Sequence, residues 1–288
     1  MRRPVSGRPP RLRMPPGATD TQMHAYLPGF PALPGGPPAP EGNAAPADYR
    51  SVMAWLGIGR VVVTQGNAHQ RDNANLLACL ADFGPCARGV AVIDRETTDA
   101  EMARLHAAGV RGARIMDLPG GAVGLAALEA VDARALAFGW TLAVQFDGRT
   151  ILEHLPRLAA IRSRWILDHH GKFFGGVAAD DARVDAVRRR LDGGRAHYKI
   201  AGCYESSGVG GPDYADVGAV TRAMVAHAPE RVVWGSNWPH NLATSAADYP
   251  DDAALADLLL DWAPREADRA HILVETPARL FDFRGAVS

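Results

Sequence analysis

The sequence predicts a single-domain α/β fold of the (β/α)8 TIM-barrel class, and three observations carry that prediction. Short apolar or β-branched runs alternate with longer segments of helical spacing from Ala18 onward. Eight such runs occur. Nearly all of them end in residues capable of chemistry. Strand alternating with helix implies parallel strands and right-handed crossovers, and eight units fit a closed barrel. A doubly wound open sheet is the alternative, but it carries a Gly-rich phosphate turn after its first strand. The turn here reads QMHAYLPGFPALPGG, without G-x-G-x-x-G.

The strand-like runs are ATDTQMH (18–24), RVVVTQGN (60–67), ARGVAVID (87–94), VRGARIMDL (110–118), TLAVQFDG (141–148), RWILDHHG (164–171), AHYKIAGCYE (196–205) and RVVWGSNWPH (231–240). Helical spacing marks 46–58, 72–84, 98–109 and 214–229 among the segments between them. The stretch 27–46 is too long and too rich in Pro and Gly for an ordinary connection. Following the first strand, it should form a lid or rim over the barrel mouth. GVGGPD (208–213) opens no early helix and reads as a loop. Residues 1–17, MRRPVSGRPPRLRMPPG, are expected to be a disordered Arg/Pro-rich tail, leaving 18–288 as the barrel.

Composition narrows the function classes. The chain is 47% hydrophobic and 22% charged, as in soluble globular enzymes. A net charge of −1 gives no pull toward nucleic acid or an anionic membrane. No apolar run is long enough for a membrane span. Cys79, Cys86 and Cys203 match no metal or disulfide spacing and are expected to be thiols in a reducing cytoplasm.

In such barrels, catalytic groups sit at the C-terminal ends of the strands. The candidates there are Gln22 and His24; Gln65, Asn67 and His69; Arg114 and Asp117; Gln145 and Asp147; Asp168, His169 and His170; Lys199, Tyr204 and Glu205; Asn237 and His240. Seven polar strand ends meeting at one mouth would be costly without a use, because buried polar groups need partners. Strand alternation puts Gln22 and His24 on one face and lets only one of His169 and His170 face inward. Asp168 could act directly or only orient a neighbour. Arg114 could pair with a core carboxylate or clamp a substrate carboxylate. Lys199 could offer a charge to an oxyanion or carboxylate, or pair with Glu205. His106, His154, His227 and His271 fall on helix-like segments as surface residues, and His197, at the far end of its strand, reads as structural. Trp234 and Trp238 read as packing residues.

DTQMHAY, RGARIMDL, LDHHGK, YKIAGCYE, VVWGSNWPH and ETPARLF, in this order, resemble the amidohydrolase superfamily. The nearest branch resembles the 2-pyrone-4,6-dicarboxylate lactonases and D-galactarolactone isomerases. TQMHAYLPGFPALPGG, TQGNAHQRDN and GSNWPH are most similar to the isomerases. The resemblance spans Ala18 to Phe283 and itself implies a barrel with its site at the strand ends. The superfamily pattern has His-x-His on the first strand and Asp on the eighth; here these positions hold Gln22 and Asn237. His24 and His169 match the remaining histidines. With one imidazole and one carboxylate lost, no catalytic metal and no other cofactor are expected.

The resemblance implies that the carboxylate at position 237 is the lactonases' water-activating base. An amide has no basic site at neutral pH. A hydroxyl of the substrate itself could still attack, because proximity raises effective molarity to on the order of 10⁵ M or more. The implied function is isomerisation of D-galactaro-1,5-lactone to the 1,4-lactone, in galacturonate and galactarate catabolism. His169, then His24, are the candidates for proton transfer. Lys199 and His24 would stabilise the oxyanion, and Arg114 would hold the free carboxylate. Gln22, Asn67, His69, Gln145, Asn237, Tyr204 and His240 complete the substrate-binding set, with Asp147 an alternative base. Two other readings stand beside this one: a metal-independent lactonase hydrolysing a sugar-acid or pyrone lactone, and a non-catalytic sugar-acid binding barrel.

Overall fold

The computed structural model describes residues 2–283. Eight parallel strands follow chain order: β1 Thr19–Met23, β2 Arg60–Thr64, β3 Ala87–Ala91, β4 Val110–Asp117, β5 Thr141–Phe146, β6 Trp165–Leu167, β7 Ala196–Ile200 and β8 Val232–Trp234. Helices lie between them: α1 Pro46–Leu56, α2 Ala74–Phe83, α3 Asp99–Ala107, α4 Leu128–Ala137, α5 Ile151–Ala160, α6 Ala182–Asp192 and α7 Ala215–His227. After β8 come α8 Asp252–Trp262, α9 Glu266–Ala270 and α10 Thr276–Phe281.

The last strand meets the first beyond its regular part. His24 N–H donates to Trp238 O and Asn237 N–H to Gln22 O, each at 2.8 Å. Gly235 permits this approach, since a Cβ there would lie 2.4 Å from Gln22 Cβ. Asp20 strengthens the seam by accepting from the Ser236 N–H and hydroxyl and from Tyr49. Val62, Val90, Ala143, Ile166 and Val233 fill the barrel interior, and Leu280, Phe281 and Phe283 join that cluster from α10 and the residue just past it. The polar strand ends lie at the other mouth.

β6 and β8 are shorter than their sequence runs. Past Leu167 and Trp234 the chain leaves the extended conformation, and His169, His170, Lys172, Asn237 and His240 take positive φ. Such conformations cost of order 1–3 kcal/mol each and tend to gather at functional sites. They turn the chain at the mouth, where continued strands would run past it.

The N-terminal segment departs from the disordered tail expected of its composition. Leu12 is buried in the main core, and its N–H donates to Asp257 Oδ1 at 2.9 Å. Trp55 Nε1 donates to Arg8 O at 2.9 Å. Arg3 is buried, with Nε and Nη1 donating to the carbonyls of Pro239, Glu41 and Asn43. One buried leucine and a set of backbone hydrogen bonds order a segment whose Pro and Arg content suggested otherwise. No helix of the described residues is long and apolar enough to cross a membrane.

Candidate active site

A cavity of about 760 Å³ opens at the C-terminal mouth, lined by His24, Tyr26, Asn67, Arg114 and Met116, together with Arg3. Residues 35–41 and 241–244 form its outer wall. The 27–46 segment is tied down by Leu33 N–H donating to Ala68 O at 2.7 Å and Tyr26 N–H donating to Ala44 O at 2.8 Å.

Arg114 projects from β4 with a dense set of partners. Its Nη1 donates to Gln65 O at 3.0 Å and Asn67 Oδ1 at 2.9 Å, and its Nη2 to Gln145 Oε1 at 3.0 Å. These partners are neutral. No carboxylate of the described residues pairs with this guanidinium, and burial pushes its pKa down. A buried cation held by neutral groups, at a cavity, is suited to an anion.

Below it, Lys199 of β7 is fully buried. Its Nζ stands 2.8 Å from Asp168 Oδ1 and 2.8 Å from Gln22 Oε1. Asp168 is thus its partner, while Glu205 pairs with Lys172. An ammonium has three donors, so one remains for a third acceptor.

His24 Nδ1 lies 2.9 Å from Thr64 O, a pure acceptor, which places the proton on Nδ1. Its Nε2 lies 3.4 Å from Gln22 Nε2, whose Oε1 is taken by Lys199. That nitrogen carries the lone pair. Burial, then Arg114, pushes the imidazole pKa down to about 3. His24 is therefore neutral and set to accept a proton; this tautomer does not suit the oxyanion-donor part of its expected role. His169 is also held well below the ordinary range, by burial and then by Lys172, Lys199 and Arg114. Its Nδ1 has no hydrogen bond among the described residues and lies 3.7 Å from Glu205 Oε2. Its neighbour His170 turns away, with Nδ1 3.1 Å from Thr221 Oγ1. Of the two candidate proton carriers, His24 lines the cavity and His169 does not.

Asn237 donates through Nδ2 to Tyr204 Oη at 2.8 Å and Glu205 Oε1 at 2.9 Å. Tyr204 Oη lies 2.6 Å from His240 Nδ1, and His240 Nε2 lies 2.9 Å from Asp252 Oδ1. The Asp252 carboxylate can only accept, so His240 carries its proton on Nε2 and accepts a hydrogen bond from the Tyr204 hydroxyl at Nδ1. The chain from Asp252 thereby fixes which end of the Asn237 amide donates. Tyr204 and His240 are committed to this chain.

His69 lies apart from the group. Its Nδ1 faces Pro31 O at 3.2 Å, so it fastens the 27–46 segment. Asp147 does not reach the site either. It follows the last residue of β5, caps the short turn at Gly148–Thr150, and is held bidentately by Arg149, which lowers its pKa. A carboxylate so paired is a poor base, and the alternative role for Asp147 falls. Lys172, Asp252 and Arg3 make contacts in or beside the candidate site that the sequence did not point to. Lys172 lies beyond the two histidines of LDHHGK, where no strand pattern marks it, Asp252 sits on a helix, and Arg3 lies in a low-complexity stretch.

The site fits a divalent cation poorly. Position 22 offers an amide oxygen already taken by an ammonium, and position 237 presents an amide that donates. Lys199 occupies the space beside Asp168. Among the described residues no group of three or more His, Cys, Asp or Glu is arranged around a metal position.

Comparison with known proteins gives consistent results. The family described as Amidohydrolase matches residues 19–283. A D-galactarolactone isomerase of Agrobacterium fabrum is 58% identical over 97% of this chain and 96% of its own length. A 2-pyrone-4,6-dicarboxylate hydrolase of Comamonas testosteroni is 30% identical over 94% of this chain and 92% of its own. A crystal structure from Agrobacterium tumefaciens, solved in its apo form, superposes with a TM-score of 0.94 at 57% identity, covering 97% of this chain and 99% of that one. The chain belongs to the amidohydrolase family.

Proposed function

We propose that this enzyme is a sugar-acid lactone isomerase converting D-galactaro-1,5-lactone to D-galactaro-1,4-lactone by intramolecular acyl transfer. The observation that carries the reading is the 58% identity, over 97% of the chain, to the D-galactarolactone isomerase. The arrangement of Asn237 supports it: an amide whose Nδ2 donates to Tyr204 and Glu205 has no atom basic enough to deprotonate water at neutral pH.

Arg114 holds the free carboxylate of the lactone, with Asn67 and Gln145 beside it for hydroxyls. The 4-hydroxyl attacks C1. The O4–C1 bond forms, the C1–O5 bond breaks, and one proton passes from O4 to O5. His24 Nε2, bearing its lone pair at the cavity, takes that proton and returns it. His169 lies close by as a second carrier. The remaining Lys199 donor meets the oxyanion, at a position already organised by Gln22 and Asp168. The family hydrolases would need water in place of the 4-hydroxyl. A cytoplasmic setting accords with three cysteines that are all free thiols.

Turnover in ¹⁸O-enriched water tests this reading. An isomerase releases 1,4-lactone without solvent oxygen, because both reacting oxygens come from the substrate. Incorporation of one ¹⁸O per product would identify a hydrolase.

A further inference from the structure

Two guanidinium groups line the cavity, and only Arg114 comes from the barrel. The other, Arg3, is delivered by the N-terminal segment, and it is built in. Its N–H donates to Asn43 Oδ1 at 2.6 Å, and Asn43 Nδ2 returns a bond to Arg3 O at 3.0 Å. Its Nε reaches Pro239 O at 3.1 Å, and Nη1 reaches Glu41 O at 2.8 Å and Asn43 O at 3.4 Å. Nη2 takes part in none of these bonds. The residue is 5% exposed, yet no carboxylate of the described residues makes an ion pair with it. The segment is held again at Leu12 and Asp257, so the placement of Arg3 does not rest on its own contacts alone.

A buried cation whose partners are all neutral carbonyls bears a desolvation cost that an anion would offset. Burial accordingly lowers the Arg3 pKa, and Tyr26 feels the charge of both Arg3 and Arg114. The two cations thus act on one cavity. Among the described residues neither makes an ion pair, while Glu41 lines the outer wall of the cavity and Asp168 and Glu205 act on Arg114 from beyond contact distance.

We propose that Arg3 is a substrate-positioning residue that meets the free carboxylate of the lactone together with Arg114, so that the N-terminal segment selects lactones of dicarboxylic sugar acids over those with a neutral C6 terminus. This rests on the isomerase reading for the identity of the substrate, but the anion site itself can be tested without turnover.

The test compares wild type with Arg3→Gln. Binding of galactarate, the unreactive diacid, is read by calorimetry, and kcat and KM are read for D-galactaro-1,5-lactone and for D-galactono-1,5-lactone, which has no carboxylate. The expected result is a galactarate Kd and a galactarolactone KM raised about tenfold or more, as loss of a charge-assisted hydrogen bond implies. Kcat should stay close to wild type, and the constants for the neutral lactone should not move. A structural role alone would degrade both lactones alike. Should Arg3→Gln fail to fold, Arg3→Lys keeps the charge and is expected to fall between the two. Unchanged galactarate binding in a folded variant, or equal losses on both lactones, would overturn the proposal. If wild type binds galactarate but turns over no lactone, the isomerase reading fails while Arg3 is still judged by the Kd.

Discussion

Asn237 faces Glu205 as a donor, with Nδ2 2.9 Å from Oε1. Replacing it with aspartate would set two carboxylates against each other, and one of them would hold a proton near neutrality. Asn237→Asp should therefore lose isomerase kcat/KM by about tenfold or more. As pH rises and the new carboxylate ionises, free diacid should appear as a growing share of product. Product ratios by NMR at about pH 6 and about pH 9 check this; a constant ratio would mean that position 237 does not govern water activation.

The neutral histidines set the pH behaviour. His24 and His170 are pushed to about 3, His197 to about 4, and His169 well below its ordinary value, in each case first by burial. In the unfolded chain each titrates near 6.5. Between those values the unfolded state binds more protons, so stability is full above about pH 6.5 and falls as pH drops toward about 3. Calorimetry should show Tm declining steadily on acidification below about pH 6.5, with proton uptake on unfolding. The kcat/KM profile should lack an inflection near 6.5; a clear one there would contradict a neutral His24 acting as base.

Lys199 separates structural from chemical roles. Lys199→Met leaves the Asp168 carboxylate buried and unpaired, which should cost about 3–5 kcal/mol of stability. Adding Asp168→Asn removes the stranded charge and should restore part of that stability without restoring turnover. Denaturant unfolding and kinetics on both variants decide the matter. Recovery of activity in the double variant would show that Lys199 served only to neutralise Asp168.

Leu12 tests the N-terminal segment. It is 2% exposed within the main core. Leu12→Ala should destabilise by about 2–5 kcal/mol, the usual cost of a buried leucine truncation. A change in Tm within error would return residues 1–17 to the free tail that their composition suggests.

The barrel was legible because its signals are periodic. Apolar runs such as RVVVT and TLAVQF recur between amphipathic segments, and each strand appeared within its expected range. Alternation placed Gln22 with His24, whereas His169 and His170 lie past the end of β6 and diverge because the chain turns there at positive φ. It failed where the strand had already ended. Asp147 lies one residue past β5, where the chain has turned and the period of two no longer holds. Arg3, Lys172 and Asp252 depend on contacts between distant segments, which local pattern does not encode. Leu12 is one apolar residue among prolines and arginines, too little to outweigh composition. Hydrogen-bond direction, which makes His24 an acceptor and Asn237 a donor, required the neighbours to be in place.

An NMR time course on freshly prepared D-galactaro-1,5-lactone, with chelator-treated enzyme, tests the central claim most directly. Intramolecular acyl transfer predicts rapid growth of 1,4-lactone signals, far above the spontaneous rate, with little free galactarate. Rapid accumulation of galactarate in place of the 1,4-lactone would contradict it and make the protein a lactonase.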